Sequence, residues 1–180
     1  MNNGRQLIFK SYLSSLPKHI NGEEKVNALT FLAEGAAKCG DIASTTLSQT
    51  YEPCDVGAII GNAFPSNPGK VNLAHYKVRK MVIDTQEQRQ HYWLSIDSNV
   101  FIYKDRTNPH KYLRYSFNGV FPRTGIYCND NPGDENWNNI KRDYNMDLKP
   151  WRSTGNHILI TLQRPMGWSM RGYNLMDWLQ

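Results

Sequence analysis

The chain lacks any run of about 18 consecutive apolar residues, so no membrane-spanning helix is expected. Its first apolar stretch, Leu7-Ile8-Phe9, is too short for the core of a secretion signal, which points to the cytoplasm. Cysteine is scarce: Cys39, Cys54 and Cys128 are odd in number and widely spaced. That spacing supports neither a disulfide framework nor a zinc knuckle, and reduced thiols in or near the core are expected instead. HExxH, HxxxH and paired CxxC motifs are missing, so no metal is expected. There is no GKS or GKT and no GxGxxG, which excludes a Walker-type phosphate loop and the dinucleotide fingerprint. The absence of GxSxG removes the hydrolase nucleophile elbow. No internal repeat is present, so a solenoid is excluded.

What is there suits a globular protein. Hydrophobic residues make up 39% of the chain, charged residues only 21%, and there are 5 Trp, 10 Tyr and 6 Phe, which excludes a wholly disordered chain. A length of 180 residues corresponds to about one domain and part of a second. The net charge of +5 is unevenly spread: residues 1–100 hold 10 Lys+Arg against 9 Asp+Glu, and residues 101–180 hold 11 against 7. The more basic second part fits a polyanionic partner or a phosphate-bearing substrate.

Local patterns then predict the elements. Gln6 to Tyr12 suits a buried strand. A helix follows, with Asn21 as its cap, Glu24 three residues later as in a capping box, and Val26, Leu29, Ala33 and Ala37 at helical spacing. Lys38 and Gly40 mark its end. Ile42–Leu47, Asp55–Ile60 and His91–Ile96 read as further strands. Between the last two, Val71, Ala74, Val78, Met81, Val82 and Thr85 follow a helical period to about Gln88. Tyr112–Tyr115 suits one more strand, and Asn136–Tyr144 a short helix with Trp137, Ile140 and Tyr144 on one side. Asn156–Leu162 reads as a buried strand, and a helix begins at Tyr173.

This alternation predicts an α/β fold: a Rossmann-like, mostly parallel sheet with helices on both faces. Residues 1–148 would form that domain, 149–155 a linker, and 156–180 the first strand-loop-helix unit of a second, incomplete Rossmann-like domain, or else that unit would join the first sheet. Ligands of open parallel sheets lie at the carboxyl ends of the strands. That rule selects the loop with Ser11, Ser14, Lys18 and His19, the loop after Gly61-Asn62, the Asp97-Ser98-Asn99 corner and the segment Gln163–Gly172.

The last of these offers a strand, a glycine-bearing loop and a helix start, a combination whose free N–H groups and dipole favour an anion. Gly167 permits close approach, Ser169 donates a hydroxyl, and Arg164 and Arg171 present guanidinium forks to phosphate. An ordinary turn with solvent-facing arginines is the other reading. Asp97 closes an apolar strand, where a carboxylate is costly unless hydrogen-bonded or used. It is the candidate general base for an acceptor hydroxyl, or else a cap for Ser98 and Asn99, with His19 and His75 as alternative bases. The stretch Tyr112–Pro122 interleaves aromatics with Arg114 and either stacks on nucleobases or sugars or packs internally.

Several stretches resemble a family of bacteriophage-encoded glycosyltransferases with the two-Rossmann-domain, GT-B-like layout. They are Val82-Ile83-Asp84, Ser95–Phe101, Arg114–Pro122, Gly155–Ile160 and Gln163–Met170. The resemblance implies an acceptor-side domain over residues 1–148 and the opening of a donor-side domain over 156–180, with Arg164 to Gly172 near the diphosphate. It also implies transfer of a sugar from a nucleotide-diphosphate sugar, bound as substrate with no separate cofactor, to an acceptor hydroxyl. In a phage the acceptor it suggests is modified DNA, and the location is the host cytoplasm. The donor residues of the family's later part are not in this sequence, so the chain alone is expected to be inactive. Two other functions are open on the residues: a non-catalytic nucleic-acid-binding module using Tyr112, Tyr115 and Phe117, and a domain that only assembles with a partner chain.

Overall fold

A computed structural model describes residues 5–16, 23–63, 71–98, 113–121, 124–127, 130–131, 133–150, 152, 154–156, 161 and 174–178. The chain divides into two compact units, Met1–Tyr127 and Cys128–Gln180, whereas the composition placed the boundary after residue 148. The first unit is an α/β layer. Its elements are β1 (Ile8–Tyr12), α1 (Glu23–Lys38), β2 (Ile42–Thr46), β3 (Val56–Ile60), α2 (Ala74–Gln88), β4 (Tyr92–Ser98) and β5 (Leu113–Phe117). In the second unit the described elements are α3 (Glu135–Asp143) and α4 (Leu175–Trp178). The expected strand over 156–162 and the expected cap Asn21 lie outside the described residues, apart from Asn156 and Thr161. No helix among the described residues is long and apolar enough to cross a membrane.

The five strands lie in the order β2-β1-β3-β4-β5. The first four run parallel, and β5 is antiparallel to β4. The expected mostly parallel α/β sheet is therefore present, but its strand order is not the 3-2-1-4-5-6 of a Rossmann sheet. The chain winds outward from β1 to β2, then starts again on the other side of β1 with β3 and β4. Right-handed crossovers then require the two helices to lie on opposite faces. The core obeys this. Leu29 and Ala33 of α1 pack with Phe9, Val56, Ala58, Ile60, Leu94 and Ile96. Val78, Val82 and Ile83 of α2 pack with Tyr12, Ile59 and Trp93, the strand residues of opposite parity.

No helix joins β2 to β3. Residues 47–55 form a strap over the α2 face, tied down by polar side chains. The Tyr12 hydroxyl donates to the Glu52 carbonyl (3.0 Å) and accepts from the Glu52 amide (2.9 Å). The Tyr51 hydroxyl donates to Gln86 Oε1 (2.7 Å), and Gln86 Nε2 donates to the Tyr92 carbonyl (2.8 Å). Gln86 is fully buried, a position an amide tolerates only with both ends satisfied. Cys54 sits beneath the strap and burial pushes its thiol up, while Cys39 is exposed at the end of α1 and Cys128 lies outside the described residues. Of the two described cysteines, only Cys54 is buried.

Three helices end the same way. After α1 the Asp41 amide donates to the Ala36 carbonyl and the Gly40 amide to the Ala37 carbonyl, with Gly40 at φ +95°. The same pair of bonds closes α2, with Gln90 at φ +57°, and α3, with Asn145 at φ +48°. A residue there must be left-handed, which glycine adopts without the steric cost borne by a residue with a Cβ. Gln90→Gly is therefore expected to stabilise the protein by about 1 kcal/mol, seen as a higher urea midpoint at unchanged m-value. A lower midpoint would mean that the Gln90 side chain makes a contact worth more than that strain.

Candidate functional site

The strand order reverses between β1 and β3, and the carboxyl ends of these strands and of β4 form one edge. A sheet wound this way leaves a crevice at that point, because successive connections depart to opposite faces. A network of hydrogen bonds builds the edge. The Ser15 Oγ, just past β1, accepts from the Ile60 amide (3.1 Å). The Gly61 amide donates to the Ile96 carbonyl (2.7 Å), and the Ser95 hydroxyl donates to the Gly61 carbonyl (2.9 Å). Gly61 has φ +75°, the left-handed region that glycine reaches most cheaply. Asn62 is buried, its Oδ1 accepting from the Ala63 amide (2.6 Å).

Three charged side chains meet this edge. Asp97 is the next-to-last residue of β4, which runs two residues beyond the Ile96 where the sequence reading ended the strand, and its register partner on β5 is Arg114. Side chains directly opposite across an antiparallel pair lie on one face, so the register itself forms the pair. Arg114 Nη2 donates to Asp97 Oδ2 at 2.6 Å, with both side chains partly buried. The third is Arg79 on α2. Its Nε donates to the Ser15 carbonyl (2.9 Å), and its guanidinium lies over Gly61, where an added Cβ would come within 3.1 Å of Nη1. Burial pulls the Arg79 guanidinium down to about 10, and the negative charge of Asp97 partly opposes that shift. Asp97 thus pairs with Arg114, and Arg79 stands close enough to feel the charge of Asp97 without an ion-pair contact to it.

Of the residues expected to carry function, Asp97 is brought into this assembly. Arg164, Gly167, Ser169 and Arg171 lie outside the described residues, as do His19, Lys18 and the loop over 64–69. His75 is near the start of α2. Sequence reasoning missed Arg79 and the partner role of Arg114. A signal for Arg79 existed. It precedes Val82, Ile83 and Gln86, all buried, by three, four and seven positions, so helical spacing sets an arginine within the stripe that faces the sheet.

The aromatic stretch is used mainly for packing. Phe117 is partly buried against the core and meets Tyr92 edge-to-face at 5.8 Å. Asn118 Oδ1 accepts from the Trp93 amide (3.1 Å) and its own amide donates to the Trp93 carbonyl (2.8 Å), closing the corner after β5. Tyr115 is exposed and Tyr112 lies outside the described residues. Among the described residues no group of three His, Cys, Asp or Glu side chains converges as metal ligands do. Compared with protein-family models, curated proteins and solved structures, the chain matches none.

Proposed function

We propose that the chain is the acceptor-side part of a glycosyltransferase, one that moves a sugar from a nucleotide diphosphate to an acceptor hydroxyl. The observation that carries this reading is the Arg79–Asp97–Arg114 assembly at the carboxyl edge of a doubly wound sheet, beside the reversal of strand order. Such an edge is where sheets of this kind hold phosphate-bearing ligands. Asp97 takes the proton of the acceptor hydroxyl as that oxygen attacks the anomeric carbon, and Arg114 fixes the direction of its carboxylate. Charge then builds on the departing diphosphate. Guanidiniums stabilise it without a metal, because they are fixed in place before the reaction and need no reorganisation. Arg164 and Arg171, with Gly167 and Ser169, are the proposed donor-phosphate residues of the second unit. The basic balance of residues 101–180 supports a phosphate-rich acceptor, and modified DNA is the one proposed.

Calorimetric titration with UDP-glucose and other nucleotide sugars tests the reading, on this chain and on a version extended beyond Gln180. Saturable heat with at least one donor is expected, and sugar transfer with that donor from the extended version. No heat and no transfer with any donor would overturn the proposal.

A further inference from the structure

Arg79 ties α2 to the Ser15 carbonyl through Nε and holds its remaining nitrogens at the carboxyl edge of the sheet. Its side chain is only partly exposed, yet no carboxylate lies within ion-pair distance of it among the described residues. Asp97 acts on it through space, while its direct anchor is a neutral backbone carbonyl, that of Ser15. A desolvated cation without a contacting anion is costly. An uncharged side chain of the same length would cover Gly61 without that cost. Local rules are broken in this way mainly at functional sites. The Nε bond to Ser15 fixes one edge of the planar group, and the guanidinium packs over Gly61 in the space a Cβ would otherwise fill. This corner lies at the reversal between β1 and β3, beside the buried Asn62.

The geometry points to a phosphoryl-binding subsite in the first unit, formed by Arg79 above the Ser15–Gly61 corner, separate in the chain from the phosphate residues proposed near 164–171. Arg79 would clamp two oxygens of a phosphate through its terminal nitrogens, the planar fork that arginine offers and lysine does not. The inference deepens the proposed glycosyl transfer and rests on it. It assigns the acceptor-side unit a phosphate of its own to hold, so that the substrate met there is itself phosphorylated.

The test uses the whole chain and two probes, inorganic phosphate and UDP, followed by the ¹⁵Nε–¹Hε resonance of Arg79 and by calorimetry. The resonance is expected to shift saturably with phosphate. Arg79→Met should weaken phosphate binding about ten- to hundredfold, and Arg79→Lys nearly as much because the fork is lost. Melting curves of both variants identify any that fail to fold, and the wild-type resonance needs no variant. If UDP binds but the Arg79 resonance stays still and Arg79→Met binds like wild type, the subsite is overturned and the glycosyltransferase reading stands. If phosphate moves Arg79 but no donor sugar is ever transferred, the subsite stands and the enzyme reading falls. No response of Arg79 to either probe overturns the subsite.

Discussion

Asp97→Asn is expected to lower turnover by on the order of a hundred- to ten-thousandfold, the range general-base catalysis supplies, while changing the KM for the sugar donor much less. The substitution keeps the size and hydrogen-bonding outline of the side chain and removes its charge and basicity. It also leaves Arg114 facing a neutral amide. The pair is partly buried, the side chains being 31% and 24% exposed, so its loss falls between the small value of a surface pair and the large one of a buried pair. About 1–3 kcal/mol is expected, a drop in melting temperature of roughly 2–10 °C. Structural and catalytic roles therefore separate by magnitude: such a drop does not explain a hundredfold loss of turnover at 25 °C. Arg114→Lys supplies the control, since it keeps a cation opposite Asp97 and should retain far more activity. Equal losses in the two variants would mean that Asp97 serves the fold and not the reaction.

The second large effect is on stability. Leu29 is fully buried on the sheet-facing side of α1, against Phe9, Val56, Ala58 and Ile60. Leu29→Ala removes three carbons from a close-packed site and leaves a cavity that its neighbours fill only in part. The expected cost is about 2–5 kcal/mol, or a melting temperature lower by roughly 5–15 °C. Phe31, two positions on, is the larger side chain but is 63% exposed, and Phe31→Ala should stay within about 0.5 kcal/mol. Thermal melts of the two variants check the orientation of α1. Similar drops for both would contradict the packing described.

Much of the first unit was legible from short-range patterns. Alternating and periodic apolar residues located all five strands of the sheet and both helices packed on it, because the spacing that buries one face is local. The end of α1 was readable because Gly40 announces the left-handed residue that follows the helix. The same geometry after α2 was not, since Gln90 carries no such signal. The position of Asp97 near the end of β4 could be read for the same local reason. Its meaning could not, because Arg114 is 17 residues away and meets it only once the antiparallel register is set.

The sequence alone determined which segments become strands and helices and which side of each is apolar, since those properties depend on residues within a few positions of one another. Only the tertiary structure decided that β3 starts again beside β1 and that Arg79 comes to rest on Ser15, 64 positions earlier in the chain. These choices are made by burial and handedness across the whole sheet, forces that act between segments far apart in the chain and leave little mark on any short window of it.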